Sequence, residues 1–406
     1  MNETSSTRPL PLRGVRVLDI SRLLPGPWAT QMLGEFGAEV IKVEQPVSGD
    51  PSRHNRPQLK KNSYYFNAMN AFKRSITLDL TKPAGRAVMH RLVADADVVV
   101  ESSRPGNAVN LGLDYATLRA KNPRIIVCSI TGFGHTGPLA HIAGHDLIIQ
   151  GFTGQMGCAL DRVNPPDPPG VLAADFAGAL YAVIGIQAAL AQRAQTGEGC
   201  EIDLAMFDAL FNMGILPLSS AMARSAGHSG EPRVESFGGN PRYATYLSRD
   251  KKPVAVALLE SRSWRAFCAS IGREDLISDS ETLADRLSAH PEHAASYRRA
   301  LEEFCAAHDW AEIMQRLEET GIAIAPILAP EEAMDLPQVA ARGLINQIDH
   351  PVEGRMPHLV NPLARAGLAR AEHDPAPDLG QHTDEILRER GFGAAEILAM
   401  HRDGIV

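Results

Sequence analysis

Cysteine is scarce in this 406-residue sequence: five residues, at positions 128, 158, 200, 268 and 305, with no Cys-x-x-Cys pair among them. So odd and scattered a set argues against both a disulfide framework and a structural zinc site, and the expected compartment is a reducing one. Basic charge is not in excess either. Forty Lys and Arg stand against 48 Asp and Glu, a net charge of −8 at pH 7. That balance argues against nonspecific nucleic-acid binding and leaves room for a local cationic patch on a phosphorylated ligand. No stretch reaches the ~18 consecutive apolar residues of a membrane span; the best, Ala177 to Leu190, carries Tyr181 and Gln187 and reads as a buried helix. The polar opening from Met1 to Pro9 lacks the apolar core of a secretion signal, so a cytoplasmic protein without membrane attachment is expected. The 34 Gly and 28 Pro follow no period, which excludes collagen-like and low-complexity chains.

What is present is an alternation of short β-branched runs with helical segments. Gly14–Ile20 reads as a strand, followed by a loop containing Pro25, Gly26 and Pro27, a helix from Trp28 to Phe36 and a strand from Ala38 to Glu44. The same order recurs as strand Arg74–Leu80, helix Lys82–Ala94 and strand Asp97–Glu101, then helix Tyr115–Lys121 and strand Arg124–Ile130. This is the pattern of a doubly wound α/β sheet. Beyond Gly144, residues 145–153 and 173–192 read as helices flanking a Pro-rich loop at Asn164–Gly170, and Glu201–Met222 as a strand entering a helix. A polar, Gly-rich stretch from Ala223 to Gly239 reads as a linker to a smaller α+β unit. The tail is polar and Pro-rich, with helices expected only at 330–335, 383–390 and 394–403. The expected division is a large domain over 1–225, a small one over 226–329 and a C-terminal segment over 330–406.

An α/β sheet invites a nucleotide, but the Gly-x-Gly-x-x-Gly fingerprint and the phosphate-loop motif are both missing. The first loop, Ser21 to Trp28, does not match, and Thr131-Gly-Phe-Gly-His-Thr-Gly137 leads into Pro138 rather than a helix. A ligand phosphate would then need side-chain cations, for which Lys42, Lys73, Arg74 and Arg104 stand at or near strand ends. Each taken singly reads equally as a surface charge. Three residues are candidates for chemistry. His145 opens a helix, where the dipole disfavours a positive charge and suits a general base; it reads equally as a solvated or capping residue. Asp175 is a lone acid in the apolar run Leu172–Leu180, a partnerless carboxylate or an N-cap. Glu260 closes the apolar strand Val254–Leu259 and by itself is ordinary punctuation.

Taken together, several segments resemble the superfamily of family III CoA-transferases and α-methylacyl-CoA racemases (CaiB/BaiF-like). They are Leu12-Arg-Gly-Val-Arg-Val-Leu-Asp19, Pro25-Gly-Pro27, Leu33 to Glu44, Lys73-Arg-Ser-Ile-Thr-Leu-Asp-Leu80, Arg104-Pro-Gly106, Asn122 to Ile126, Thr131 to Gly134, Gly197-Glu-Gly199 and Leu379 to Asp384. The resemblance implies a Rossmann-like large domain, a smaller domain, a C-terminal segment that returns to the large domain, and a homodimer of two interlocked rings. It implies a coenzyme A thioester as substrate, its phosphates met by Lys42, Lys73, Arg74 and Arg104, with no metal or prosthetic group. It also matches the family's catalytic aspartate to Asp175. Transferases of the family use that aspartate as a nucleophile; the racemase branch uses it as an acid/base and adds a His and a Glu. Gly144-His145-Asp146, Glu260 followed by Trp264, and the Gly-poor segment Phe237-Gly-Gly-Asn240 resemble the racemase branch. The expectation is therefore a 2-methylacyl-CoA racemase with His145, oriented by Glu260, and Asp175 on opposite faces of the α-carbon. The alternatives are a CoA-transferase acting through Asp175 and, more remotely, a non-catalytic acyl-CoA-binding protein. Gln45, Asn110 and Asp146-Leu-Ile-Ile-Gln150 depart from the racemase pattern.

Overall fold

The structure is a computed structural model that describes residues 8–158, 166–228, 239–290, 292–372 and 374–406. Phe237 and Gly238, much of the expected 223–239 linker, and Asn164 and Pro165 lie outside the described residues. The chain divides into two units: Met1–Thr153 with Pro169–Met213 and Pro337–Val406, and Gly154–Pro168 with Gly214–Leu336. This division falls at Gly214 and Pro337, beside the expected boundaries at 226 and 330, and Gly214 separates two helices that the sequence reads as one.

The first unit is built on six parallel strands, β1 (Arg16–Asp19), β2 (Glu39–Glu44), β3 (Lys73–Thr77), β4 (Val98–Glu101), β5 (Ile126–Thr131) and β6 (Glu201–Ala205), in the spatial order β3-β2-β1-β4-β5-β6. Strands β4 and β5 are buried along their whole length, as a parallel sheet covered on both faces requires. Side chains alternate between two cores. Val17, Val98, Val100, Ile126, Cys128 and Ile130 face helices α1 (Pro25–Glu35) and α4 (Ala173–Thr196); Leu18, Ile41, Val99 and Val127 face α2 (Pro83–Ala94) and the C-terminal residues Ile386 and Leu387. Two shorter helices complete the site, α3 (Asp146–Phe152) and α5 (Met206–Met213).

Two local departures from the sequence reading, at Pro25–Pro27 and in the tail, have physical causes. The Pro25-Gly26-Pro27 segment is the first turn of α1, not a loop. Proline suits that turn because its missing N–H would have no intrahelical partner there, and a Cβ on Gly26 would stand 2.1 Å from the Ser21 side chain. Helix α4 is apolar and long enough by composition to cross a membrane; it carries Ala174, Ala177, Ala182, Val183 and Ile186 into the core of the first unit. The tail contains an antiparallel hairpin, Ile345–His350 with Gly354–Leu359, that the sequence reading left out. Pro357 within it argues against a strand, and two of its buried positions are His350 and His358 rather than apolar residues, which blurs the alternation.

The second unit carries an antiparallel sheet of β7 (Tyr243–Leu247), β8 (Pro253–Ala257) and β9 (Ile324–Pro326). It packs on an aromatic core in which Trp264 stacks near Phe267, with ring centroids 5.6 Å apart.

Candidate active site

In the strand order, the chain leaves β1 toward β2 and later returns to place β4 on the other side of β1. Loops leaving β1 and β4 therefore diverge, and the crevice between them is where open α/β sheets take ligands. A cavity of about 660 Å³ lies there. Its wall comes from Arg22–Pro25 after β1, Ser102–Pro105 and Asn107 after β4, Ile130–Gly132 at the end of β5, and Met206 after β6; Pro51, Tyr65, Ala140, Ile142–Asp146 and Asp175 close it.

Asp175 occupies the first turn of α4. It does not cap that helix: the cap position is Leu172, which has no capping side chain. The cap arrives from elsewhere. Asp146, buried at 7% exposure, accepts the N–H of Ala174 at 2.7 Å and of Asp175 at 3.4 Å on Oδ1, and the Gln150 side-chain amide at 2.6 Å on Oδ2. Gln150 Nε2 also donates to the Val171 carbonyl at 3.0 Å. Among the described residues, none donates a hydrogen bond to the Asp175 carboxylate at the cavity wall. Burial, and then the negative charge of Asp146, push its pKa up to about 6. An unpaired, partly desolvated carboxylate of raised basicity is a better nucleophile and proton acceptor than a solvated one.

His145 takes the N-cap position of α3 directly before Asp146, exposed and without a capping bond from its ring. Its place is fixed by two glycines. A Cβ on Gly144 would meet the Gly132 Cα at 2.3 Å, and one on Gly132 would meet the Gly144 Cα at 2.4 Å. The Gly-rich turn after β5 is thus a seat for the backbone that carries His145, not a phosphate cradle. His145 and Asp175 share one cavity. Glu260, the third candidate, is exposed in the second unit, at the N-cap of the helix Ser261–Ser270 with no capping bond from its side chain.

Of the four expected phosphate ligands only Arg104 lines the cavity. Lys42 is fully buried, 2.9 Å from Asp50 and 3.7 Å from Asp19, and donates to the Ser21 carbonyl at 3.1 Å. Burial works against its ammonium, but Asp19 and Asp50 outweigh it and bring the pKa to about 12. Lys73 spends its three donors on Asp19 Oδ2 at 2.9 Å and on the Pro27 carbonyl and Asn70 Oδ1, both at 2.8 Å. Arg74 binds Glu385 and Glu389 of the C-terminal helix Thr383–Glu389 at 2.9 Å and Glu39 at 3.2 Å. These three are engaged in ion pairs that hold the fold together and, against the sequence expectation, do not line this cavity. Strand-end position alone could not separate a phosphate ligand from the partner of a buried carboxylate.

Two residues on the wall escaped the sequence reading. Arg22 stands exposed on the loop after β1, its backbone N–H bonded to Ser102 Oγ at 3.1 Å, so the two divergent loops are tied together. Tyr65 presents a phenol to the same cavity; burial, then the charges of Asp175 and Asp50, raise its pKa above the usual tyrosine range. No motif marks either one in the sequence. Among the described residues, no group of three or more His, Cys, Asp or Glu side chains could hold a metal ion.

The profile of CoA-transferase family III matches residues 12–383. The chain is 34% identical to the succinate–glutarate CoA-transferase of Agrobacterium fabrum, over 96% of this chain and 98% of that one. It is likewise 34% identical to the acetyl-CoA:oxalate CoA-transferase of Acetobacter aceti, over 98% and 100%. A crystal structure of a CaiB/BaiF family protein from Brucella suis, 34% identical, covers 94% of this chain and all of that one, with a TM-score of 0.79.

Proposed function

This chain belongs to CoA-transferase family III, and from that premise we propose that it moves coenzyme A from an acyl thioester to a carboxylic acid, with Asp175 as the nucleophile. The observation that carries the reading is the carboxylate of Asp175 on the wall of the switch-point cavity, of raised basicity and with no hydrogen-bond donor among the described residues. The racemase expectation gives way, since the relatives reported above are named as transferases.

The steps balance without a metal or redox group. The Asp175 carboxylate adds to the thioester carbonyl and expels the CoA thiolate, leaving a mixed anhydride between the acyl group and the side chain. The thiolate then attacks the aspartyl carbonyl of that anhydride, releasing the first acid and forming an aspartyl-CoA thioester. The incoming carboxylate runs the same two steps in reverse. Splitting the transfer in this way keeps the thioester energy on the enzyme. Backbone N–H groups near Gly144 and the ring of His145 are the donors available to the oxyanion of each tetrahedral intermediate. Arg104 and Arg22, both on the cavity wall, would meet the phosphates of CoA. A homodimer is part of the proposal. It is supported by apolar side chains left exposed on α4 and α5, among them Leu180, Ile184 at 60%, Phe211 and Met213.

The test incubates the protein with acetyl-CoA or succinyl-CoA, quenches with hydroxylamine or directly, and maps the adduct by mass spectrometry. CoA or hydroxamate on the peptide containing Asp175, lost in Asp175→Asn, supports transfer. Wild-type turnover that persists in Asp175→Asn refutes it. Because His145 and Asp175 share the cavity, proton exchange at the α-carbon is the second reading. Deuterium uptake by a 2-methylacyl-CoA in heavy water without CoA exchange would favour it.

A further inference from the structure

We propose that the acids exchanged by this protein carry an uncharged, apolar tail, and that Leu23, held on the cavity wall by the buried Asp50, is the residue that selects them. The inference rests on the transferase reading and names its substrate class.

Leu23 has a backbone φ of +67°, a left-handed conformation that bulky L-residues rarely adopt. It is also 44% exposed and lines the same cavity as Asp175. Strain of this kind persists only where the surroundings over-determine it, and such places cluster at ligand sites. The surroundings are on hand. The Leu23 N–H donates to Asp50 Oδ1 at 3.2 Å. Asp50 is itself buried, ion-paired to Lys42 at 2.9 Å, and accepts from Ser52 N and Oγ at 2.8 Å. Lys42 also grips the carbonyl of Ser21, two residues before Leu23, while Arg22 N–H is held by Ser102. Three consecutive residues are thus pinned from beneath, and the side chain they present to the cavity is a leucine. Leu24, Pro51, Ile130 and Met206 are apolar residues beside it in the lining, among polar ones.

The charges point the same way. Among the described residues, the charge acting on Asp175 is that of Asp146, another carboxylate. The guanidinium groups on the wall, Arg22 and Arg104, are the exposed ones on strand-end loops, where the phosphates of CoA need them. A second carboxylate brought close to Asp175 would meet the charges of Asp175 and Asp146 on the same wall, a repulsion an apolar tail does not meet.

Butyryl-CoA and succinyl-CoA form a matched pair of equal carbon number, one ending in a methyl and one in a carboxylate. Each is incubated with its own ¹³C-labelled free acid, and the entry of label into the thioester is followed, so no acceptor has to be guessed. Wild type is expected to exchange the butyryl pair with kcat/KM at least about tenfold above the succinyl pair, the scale set by a small change of group in a pocket. Leu23→Arg is expected to shift that ratio toward succinyl by about tenfold or more, with an unchanged melting temperature confirming the fold. A wild-type preference for succinyl overturns the inference and leaves the transferase reading standing. An unchanged ratio in Leu23→Arg removes Leu23 from its role. Absence of exchange with both pairs also overturns the inference, and the adduct at Asp175 then decides whether the transferase reading falls with it.

Discussion

Asp175 sits where the folded protein would be more stable without its charge, and the size of that penalty can be worked out. Its pKa rises from 3.8 to about 6 on folding, equivalent to about 3 kcal/mol at ~1.4 kcal/mol per unit. The side chain is only partly buried, and solvent screening brings the figure to about 1–2 kcal/mol. The sign follows from proton linkage. Between pH 4 and 6 the folded state binds more protons at this site than the unfolded state, so stability falls as pH rises through that window and the full penalty is present above it. Asp175→Asn removes the charge at nearly constant shape. It should therefore be more stable than wild type by about 1–2 kcal/mol at pH 7.5, a few degrees in melting temperature, with the gap closing to zero near pH 4. Urea unfolding of the two proteins at half-unit steps from pH 4 to 8 measures this directly. An Asn variant no more stable at pH 7.5, or a gap that does not depend on pH, would refute the claim that this carboxylate is held desolvated and unpaired.

Further expectations attach to other residues. CoA transfer should fall about tenfold per unit below pH 6, as Asp175 takes up its proton; a flat rate profile down to pH 5 would exclude it as the nucleophile. Gly144→Ala puts a methyl 2.3 Å from the Gly132 Cα and should lower kcat by roughly a hundredfold through displacement of His145, read by steady-state kinetics; a variant with wild-type kcat would show that the glycine contact is not what seats the histidine. Lys42→Met strands the buried Asp50 and leaves Asp19 with Lys73 alone, and should cost about 3–5 kcal/mol in urea unfolding, whereas a surface lysine would cost under about 1 kcal/mol. Arg104→Ala should raise KM for acyl-CoA about tenfold, and most at low salt, while Arg74→Ala leaves KM unchanged; the reverse pattern would return Arg74 to the ligand set.

The parallel sheet was legible because β4 and β5 are short apolar runs buried on both faces, and such runs survive in one dimension. Asp175 was legible for the opposite reason, as a single acid in an apolar run. What sequence could not separate was a cation that meets a ligand from one that meets a buried acid. Lys42 lies near the end of β2 and Arg104 on the loop after β4, and nothing in the sequence shows that Asp19 and Asp50 close on Lys42. Leu23 was invisible for a related reason: nothing in a leucine announces a left-handed backbone, which here is imposed by an acid 27 positions further along. The hairpin in the tail was missed because buried histidines replaced the apolar residues that normally mark the inward face.

The bond from Asp146 to the start of α4 gives the site a shared mechanical datum. The imidazole of His145 rides on the residue next to that carboxylate, and Asp175 rides on the turn that the carboxylate clasps. A displacement of either helix would pull on the other through these bonds. Attempts to retune this pocket by shifting one helix alone would work against that linkage; redesign will have to move the pair as a single rigid piece.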